Sequence, residues 1–167
     1  MAEQEAAVPE AAVKEGDLAP DFTLEGTGGP WTLSRHRGRP VVLYFYPRDN
    51  TPGCTTEACD FRDQLDAFRR WGAEVVGIST DSLKSHQNFA AKYRLPFPLL
   101  SDPDATVAAR YGVWREKMQY GKPRMGIERT TFLIDSEGRI RAVWRKVKVN
   151  GHVEAVAARL AELLAQS

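Results

Sequence analysis

The sequence predicts a three-layer α/β domain built on a mixed central sheet. Three observations carry that expectation. Val41 to Tyr46 and Glu74 to Thr80 are apolar-rich runs without alternation, as expected of strands covered on both faces. Ala58, Phe61, Leu65, Phe68 and Trp71, and later Val153, Val156, Leu160 and Leu164, recur at spacings of three and four, which is one face of a helix. Such strands and helices alternate along the chain before a closing hairpin and helix, so parallel strands are joined by antiparallel ones.

Taken in order, residues 1–15 are mostly Ala, Glu, Val and Pro with no aromatic anchor, and read as a flexible acidic extension ahead of a single domain at 16–167. Asp17 to Leu24 alternates loosely and is broken by Pro20, which suits an edge strand. Gly26 to Pro30 is a turn, and Trp31 to Ser34 returns to complete an N-terminal β-hairpin, followed by a basic loop over Arg35 to Pro40. After the strand at Val41 to Tyr46, a helix is expected over Thr55 to Trp71, stopped by Gly72. Asp81 and Ser82 offer an N-cap for a helix through Tyr93. Leu99 and Leu100 mark a short strand, Asp102 to Gly112 a short helix, and Val113 to Gly126 a long excursion. Thr130 to Ile134 is the next strand, Asp135 to Gly138 a turn, Arg139 to Val149 the second arm of a hairpin, and His152 to Ala165 the last helix. This order resembles a thioredoxin-like core with an N-terminal hairpin.

Composition narrows the function. The formal charge of +1, from 23 basic and 22 acidic residues, makes no case for nucleic acid or an anionic membrane as partner. Met1 to Asp17 holds four Glu and no apolar block, and no run approaches the ~18 residues of a spanning helix, so a cytoplasmic protein is expected. Two cysteines are too few for a disulfide scaffold, which turns attention to catalysis. His36, His86 and His152 are scattered without metal-ligand spacing, so neither a metal nor a cofactor is expected.

Both cysteines lie where the first buried strand hands over to a helix. A thiol at a helix N-terminus faces unpaired N–H groups and the positive end of the macrodipole, so Cys54 is placed to ionise below the ordinary thiol value of ~8.5. On one helix, Cys54 and Cys59 would be separated by ~7.5 Å along the axis and ~140° around it. A disulfide needs Cα atoms within about 6.8 Å, so either the pair never bonds or the first turns unwind when it does. In a two-electron cycle, the Cys54 thiolate would attack a peroxide, become a sulfenic acid and condense with Cys59, releasing water.

The residues around this pair carry a family resemblance. Pro47, Thr51 and Cys54 match the Pro-x-x-x-Thr-x-x-Cys signature of peroxiredoxins, and Thr51 to Cys54 with Glu57, Ala58 and Cys59 is similar to the bacterioferritin-comigratory-protein, or Q-type, branch. The likeness extends through Leu95 to Asp102, Tyr111 to Trp114, Gly126 to Ile134 and Val147 to His152. It implies a monomeric thiol peroxidase for hydrogen peroxide and organic hydroperoxides, with Cys54 peroxidatic, Cys59 resolving and a thioredoxin-type dithiol as reductant. The neighbours can be given physical roles. Thr51 offers a hydroxyl to donate to the thiolate or the peroxide, and Pro47 shields the pocket with no N–H exposed to water. Arg129 stays charged at any working pH and can hold both the thiolate and the oxygen that gains charge as the O–O bond breaks, with Glu57 holding Arg129. Backbone N–H groups of Gly53 and Cys54 complete the cradle.

Two readings from other classes compete. A thioredoxin-like disulfide oxidoreductase would share the fold but wants Cys-x-x-Cys, against the four residues between Cys54 and Cys59. A redox-linked holdase chaperone would want an exposed apolar stripe, which the pattern does not recommend.

Overall fold

A computed structural model of the chain describes residues 13–165. Seven strands form one sheet in the order β2-β1-β5-β4-β3-β8-β9, comprising β1 (Thr23–Gly26), β2 (Trp31–Thr32), β3 (Val41–Phe45), β4 (Glu74–Ser79), β5 (Leu99–Ser101), β8 (Thr130–Ile134) and β9 (Ile140–Trp144). Strands β3, β4 and β5 are mutually parallel, and the remaining pairings are antiparallel, so the sheet is mixed as expected. The expected N-terminal hairpin is present, with Thr23 opposite Thr32.

Side chains on successive residues of β3 point to opposite faces, and each face acquires its own core. Val42 and Tyr44 pack with Phe61, Phe68, Phe89 and Val156, beneath helices α1 (Pro52–Asp63), α2 (Leu65–Arg69), α3 (Leu83–Tyr93) and α5 (His152–Ala165). Val41, Leu43 and Phe45 pack on the other side with Phe22, Trp31, Val107 and Tyr111, under the N-terminal segment and the short α4 (Thr106–Arg110). These are the three layers, with the sheet in the middle.

Several boundaries differ from the sequence expectation, each for a physical reason. Val13 is buried and its carbonyl accepts from Arg145 Nη2 at 3.0 Å, while Gly16 N–H donates to the Ile140 carbonyl at 2.8 Å. Val13 is thus packed against the domain although it precedes residue 16, and residues 1–12 of the expected extension lie outside the described residues. Pro20 cannot donate to a ladder, so the first strand starts at Thr23 and only Leu18 forms an isolated bridge, to Arg139. Leu33–His36 is a 3₁₀ turn rather than strand. The long helix is interrupted at Gln64, whose φ of −107° and ψ of 14° are not helical, although the apolar spacing runs through the break. Asp102 precedes α4 instead of opening it, and its carboxylate accepts from Val107 N at 3.2 Å and Ala108 N at 2.8 Å.

The largest difference is at Val113 to Gly126. In place of an irregular excursion there is a hairpin of β6 (Trp114–Gln119) and β7 (Lys122–Ile127). Its two turn residues, Tyr120 and Gly121, have φ of 54° and 76°, the positive pair that a type I′ turn requires. The arms are largely exposed, so they lack the apolar alternation that announces a half-buried strand.

Topology sets the position of the site. Because β8 runs antiparallel to β3, with Thr130 opposite Phe45, the chain just before Thr130 lies on the rim where β3 ends. The loop after β3 leads from that rim into α1, so Cys54 and Arg129 meet there although 75 residues separate them. The height of α1 above the sheet depends on Tyr44, whose ring stacks on Phe61 at 4.6 Å. Tyr44 has room because Gly77 on β4 lacks a side chain; a Cβ there would stand 2.8 Å from Tyr44 Cζ and 2.9 Å from Leu99 Cδ2. Gly77→Ala is expected to destabilise the protein by about 1–3 kcal/mol through overpacking, measured as a lower urea midpoint with an unchanged slope.

Candidate active site

Helix α1 begins with Thr51 as N-cap in extended conformation and Pro52 in the first turn, where its missing N–H is not needed. Gly53 and Cys54 follow, and their N–H groups precede the first intrahelical bond, which runs from Thr55 N to Thr51 O at 2.8 Å. Cys54 is buried, and its sulfur accepts from Arg129 Nη2 at 3.3 Å. The other terminal nitrogen, Nη1, donates to Glu57 Oε1 at 2.6 Å. Glu57 sits three residues beyond Cys54, so one turn of helix aims the thiol and the carboxylate at the same guanidinium.

Gly53 contributes by its bareness as well as by its N–H. A Cβ at this position would lie 3.1 Å from Arg129 Nη2, so a side chain there would press on the guanidinium. Thr51 does not act as the sequence suggested. Its hydroxyl donates to the Arg48 carbonyl at 2.9 Å, which commits the hydrogen and leaves the oxygen as an acceptor. Pro47 and Thr51 line a cleft of about 610 Å³ with Arg48, Trp114, Lys117 and Met125.

The electrostatics of the site follow from one cation serving two acidic groups out of water. Glu57 is fully buried, and burial, outweighing the pull of Arg129, lifts its carboxyl from 4.5 to about 7. Burial also works against the charge on Arg129, but Glu57 and Cys54 more than offset it and hold the guanidinium more firmly protonated. His152, at the start of α5, is pushed down to about 4 by burial and by Arg129, so its ring is neutral. Its Nε2 lies 2.8 Å from Thr131 Oγ1 and 3.9 Å from Glu57 Oε2, an oxygen with no hydrogen-bond partner. Cys59 is half-buried, its thiol raised by that burial, and both cysteines are unbonded.

A second buried network holds the loop that enters α1. Tyr46 Oη donates to Asp49 Oδ1 at 2.6 Å, Ser85 Oγ donates to Asp49 Oδ2 at 2.8 Å, and His86 Nδ1 lies 2.7 Å from that same oxygen. Asp49 N–H donates to Asp81 Oδ2 at 2.8 Å, and His86 Nε2 faces the Leu100 carbonyl at 2.9 Å. The fold thus gathers Asp49, Asp81 and His86 so that an oxygen or ring nitrogen of each lies within 4.8 Å of the others, but these atoms already bond to protein groups that fix the loop.

Of the sequence-derived residues, the structure brings Cys54, Glu57, Gly53 and Arg129 into direct contact range, with Thr51 and Pro47 on the adjoining cleft and Cys59 further along α1. Sequence reasoning missed Lys117, His152 and Thr131. Lys117 crosses from β6 over Gly126 and donates to the Ile127 carbonyl, and burial, then Arg129, lowers its pKa against the pull of Cys54 and Glu128. Gly126 is no signal for it, because a Cβ there would meet the lysine stem only at an ordinary contact of 3.7 Å.

Residues 16–143 match the family model described as AhpC/TSA, which is most of the chain. The chain belongs to the AhpC/TSA family. Within this AhpC/TSA family its relatives are Bcp, or Q-type, peroxiredoxins. It is 55% identical over 150 residues to a putative peroxiredoxin Bcp of Coxiella burnetii, covering 89% of this chain and 99% of the relative. To the peroxiredoxin Bcp of Bacillus subtilis it is 51% identical over 142 residues, covering 84% and 90%. A solved structure of the Xanthomonas campestris bacterioferritin comigratory protein, described in terms of its alkyl peroxide reduction activity, superposes with a TM-score of 0.83 at 48% identity, covering 90% of this chain and 98% of that one. The expected thioredoxin-like peroxiredoxin architecture and the expected branch are both those of the AhpC/TSA family members it matches.

Glu57 and His152 make opposite contributions to the pH dependence of folding. A carboxyl raised from 4.5 to about 7 binds its proton in the folded state first, so its stabilising contribution is present below 4.5 and is lost as pH rises through 7. A histidine lowered from 6.5 to about 4 takes its proton in the unfolded state first, so stability is lost as pH falls from 6.5 to 4. Between 4.5 and 6.5 the two slopes oppose each other. Glu57→Gln should therefore expose a loss of at least about 1 kcal/mol on acidification through that window, and His152→Gln a loss of similar size on raising the pH, by urea titration at each pH.

Proposed function

We propose that the chain is a thiol peroxidase that reduces hydrogen peroxide and organic hydroperoxides, with Cys54 as the peroxidatic residue. The observation that carries this reading is the single guanidinium of Arg129 bonded to Cys54 Sγ at 3.3 Å at a helix N-terminus. The thiolate attacks the terminal oxygen of the hydroperoxide, an S–O bond forms, the O–O bond breaks, and the alkoxide leaves and takes a proton. Arg129 and the N–H groups of Gly53 and Cys54 stabilise the oxygens as charge moves onto them. Thr51 Oγ1, its own hydrogen committed to Arg48, accepts from the peroxide O–H, and Pro47 walls the cleft against water. Glu57 fixes the plane of the guanidinium.

Cys59 then attacks the sulfenic sulfur, an S–S bond replaces the S–O bond, and water leaves with the Cys59 proton. Both cysteines lie on the intact helix Pro52–Asp63, whose geometry keeps them too far apart to bond. Resolution therefore requires the N-terminal turns of α1 to unwind, and a thioredoxin-type dithiol returns the two electrons and lets them rewind. The balanced charge of +1 supports small hydroperoxides as partners, without nucleic acid or a membrane surface. Among the described residues no helix is long and apolar enough to cross a membrane. The family resemblance and the sparse cysteines support one domain acting as a cytoplasmic monomer.

Reduced protein treated with one equivalent of hydroperoxide and mapped by mass spectrometry is expected to carry an internal Cys54–Cys59 bridge. The Cys59→Ser variant is expected to carry a sulfenic acid at Cys54. A bridge between chains, or oxidation confined to Cys59, overturns the assignment.

A further inference from the structure

The hairpin of β6 and β7 holds charges that its own folding does not call for. Its segment, Trp114–Ile127, carries four basic residues, Arg115, Lys117, Lys122 and Arg124, against the one acidic Glu116, a local charge of +3 in a chain whose total is +1. The register puts all four cations on one face, with Lys117 directly opposite Arg124, Arg115 opposite Gly126 and Lys122 opposite Gln119. Like charges directly opposite weaken a strand pair, so the arrangement costs the hairpin stability. Lys117 is drawn back to the Ile127 carbonyl, but Lys122 and Arg124 are exposed and have no ion pair among the described residues. The turn and the other face are apolar. Met118, Tyr120 and Met125 are 71%, 92% and 52% exposed, three of the four large hydrophobic residues that stand exposed among the described residues. Clustered on one hairpin, they mark a contact surface. The hairpin is closed at its base, where Glu128 N–H donates to the Val113 carbonyl at 2.8 Å, and it walls the cleft that holds Pro47 and Thr51. It shares no residue with α1, so it keeps its place when α1 unwinds.

We propose that this hairpin is the docking surface for the protein dithiol that reduces the Cys54–Cys59 bridge, a partner whose reactive face carries an apolar patch bordered by acidic residues. The inference rests on the resolving role given to Cys59. Thr51, on the cleft that the hairpin walls, stands three residues before Cys54, so a partner seated there faces the loop that leads to the bridge. Lys122 and Tyr120 do not line that cleft, so a small anion held within it leaves them uncovered, whereas a protein face reaches both. One thiolate of the partner attacks a sulfur of the bridge, and the S–S bond breaks as a mixed disulfide forms. The partner's second thiolate displaces it. The partner leaves as a disulfide, and Cys54 and Cys59 return as thiols, the two protons passing from the partner's thiols through solvent.

The test starts from protein bridged by a chemical oxidant, so that peroxide turnover is not needed, and compares reduction by a thioredoxin with reduction by dithiothreitol. The double variant Lys122→Glu, Arg124→Glu is expected to lower the second-order rate with thioredoxin about tenfold at low ionic strength and to leave the rate with dithiothreitol unchanged. The parent rate with thioredoxin should fall toward that of the variant as salt is raised to about 0.5 M, where the screening length shrinks to about 4 Å. Lys122→Gln with Arg124→Gln is expected to give the same sign at smaller size. Met118→Ser with Tyr120→Ser is expected to lower the thioredoxin rate about threefold or more at every salt concentration. Equal thioredoxin rates in the parent and the charge-reversed protein overturn the proposal and leave the peroxidase reading standing. A loss confined to oxidation of the reduced protein by a carboxylate-bearing hydroperoxide assigns the cations to the substrate and overturns it as well. A bridge that dithiothreitol cannot open, or no bridge at all, defeats the resolving role of Cys59 and this docking surface with it.

Discussion

The arrangement depends on one guanidinium in a nearly dry place holding two acidic groups at once. Arg129 reaches Cys54 with one terminal nitrogen and Glu57 with the other, at 3.3 and 2.6 Å. A planar fork with donors fixed in direction can do this, and a lysine ammonium cannot do it with the same geometry. The arrangement is strained electrostatically, because two anions beside one buried cation would leave a net negative charge out of water. The strain is relieved by protonation, and Glu57 is lifted to about 7 mainly by its burial. A group poised there can yield the cation to the sulfur when the sulfur needs it.

Everything beneath that contact serves to hold it in place. The antiparallel β8 brings Arg129 to the rim where β3 ends, and the loop after β3 turns back into α1 at the same rim. That loop is pinned from below by Asp49, whose carboxylate gathers Tyr46, Ser85 and His86 from a strand end and a helix. Gly53 gives the guanidinium its space, and Gly77 gives Tyr44 the room to support Phe61 on α1. The hairpin of β6 and β7 adds the opposite wall of the cleft and contributes Lys117. Rigid support on three sides contrasts with the demand made of α1 itself, whose first turns must open before Cys59 can meet Cys54.

Much of this was legible in the residue pattern, for reasons that particular segments make plain. Val41 to Tyr46 is apolar because both faces of β3 are covered, and the fully buried β3 bears that out. Cys54 was placed at a helix start by what surrounds it, whereas the antiparallel run of β8 that puts Arg129 beside it is seen in the fold. The hairpin at Trp114–Ile127 escaped because its arms are mostly exposed and nothing in them alternates. The break at Gln64 escaped because Phe61, Leu65 and Phe68 keep helical spacing across it. Thr51 was assigned a donor's part, and only its contact with Arg48 shows where its hydrogen goes. His152 read as a helix-start residue, which it is, but its contact with Thr131 and its approach to Glu57 join parts of the chain that no spacing rule connects.

The most direct measurement is the second-order rate constant of reduced Arg129→Gln protein with a hydroperoxide, taken on the pH plateau where the rate no longer rises and the thiol is ionised regardless of the arginine. A fall of about a hundredfold or more from the parent rate is the result this account predicts, since the oxygen leaving the broken O–O bond then lacks its cation. A plateau rate within about threefold of the parent would contradict it, because the guanidinium would then do no more than hold the thiolate at rest.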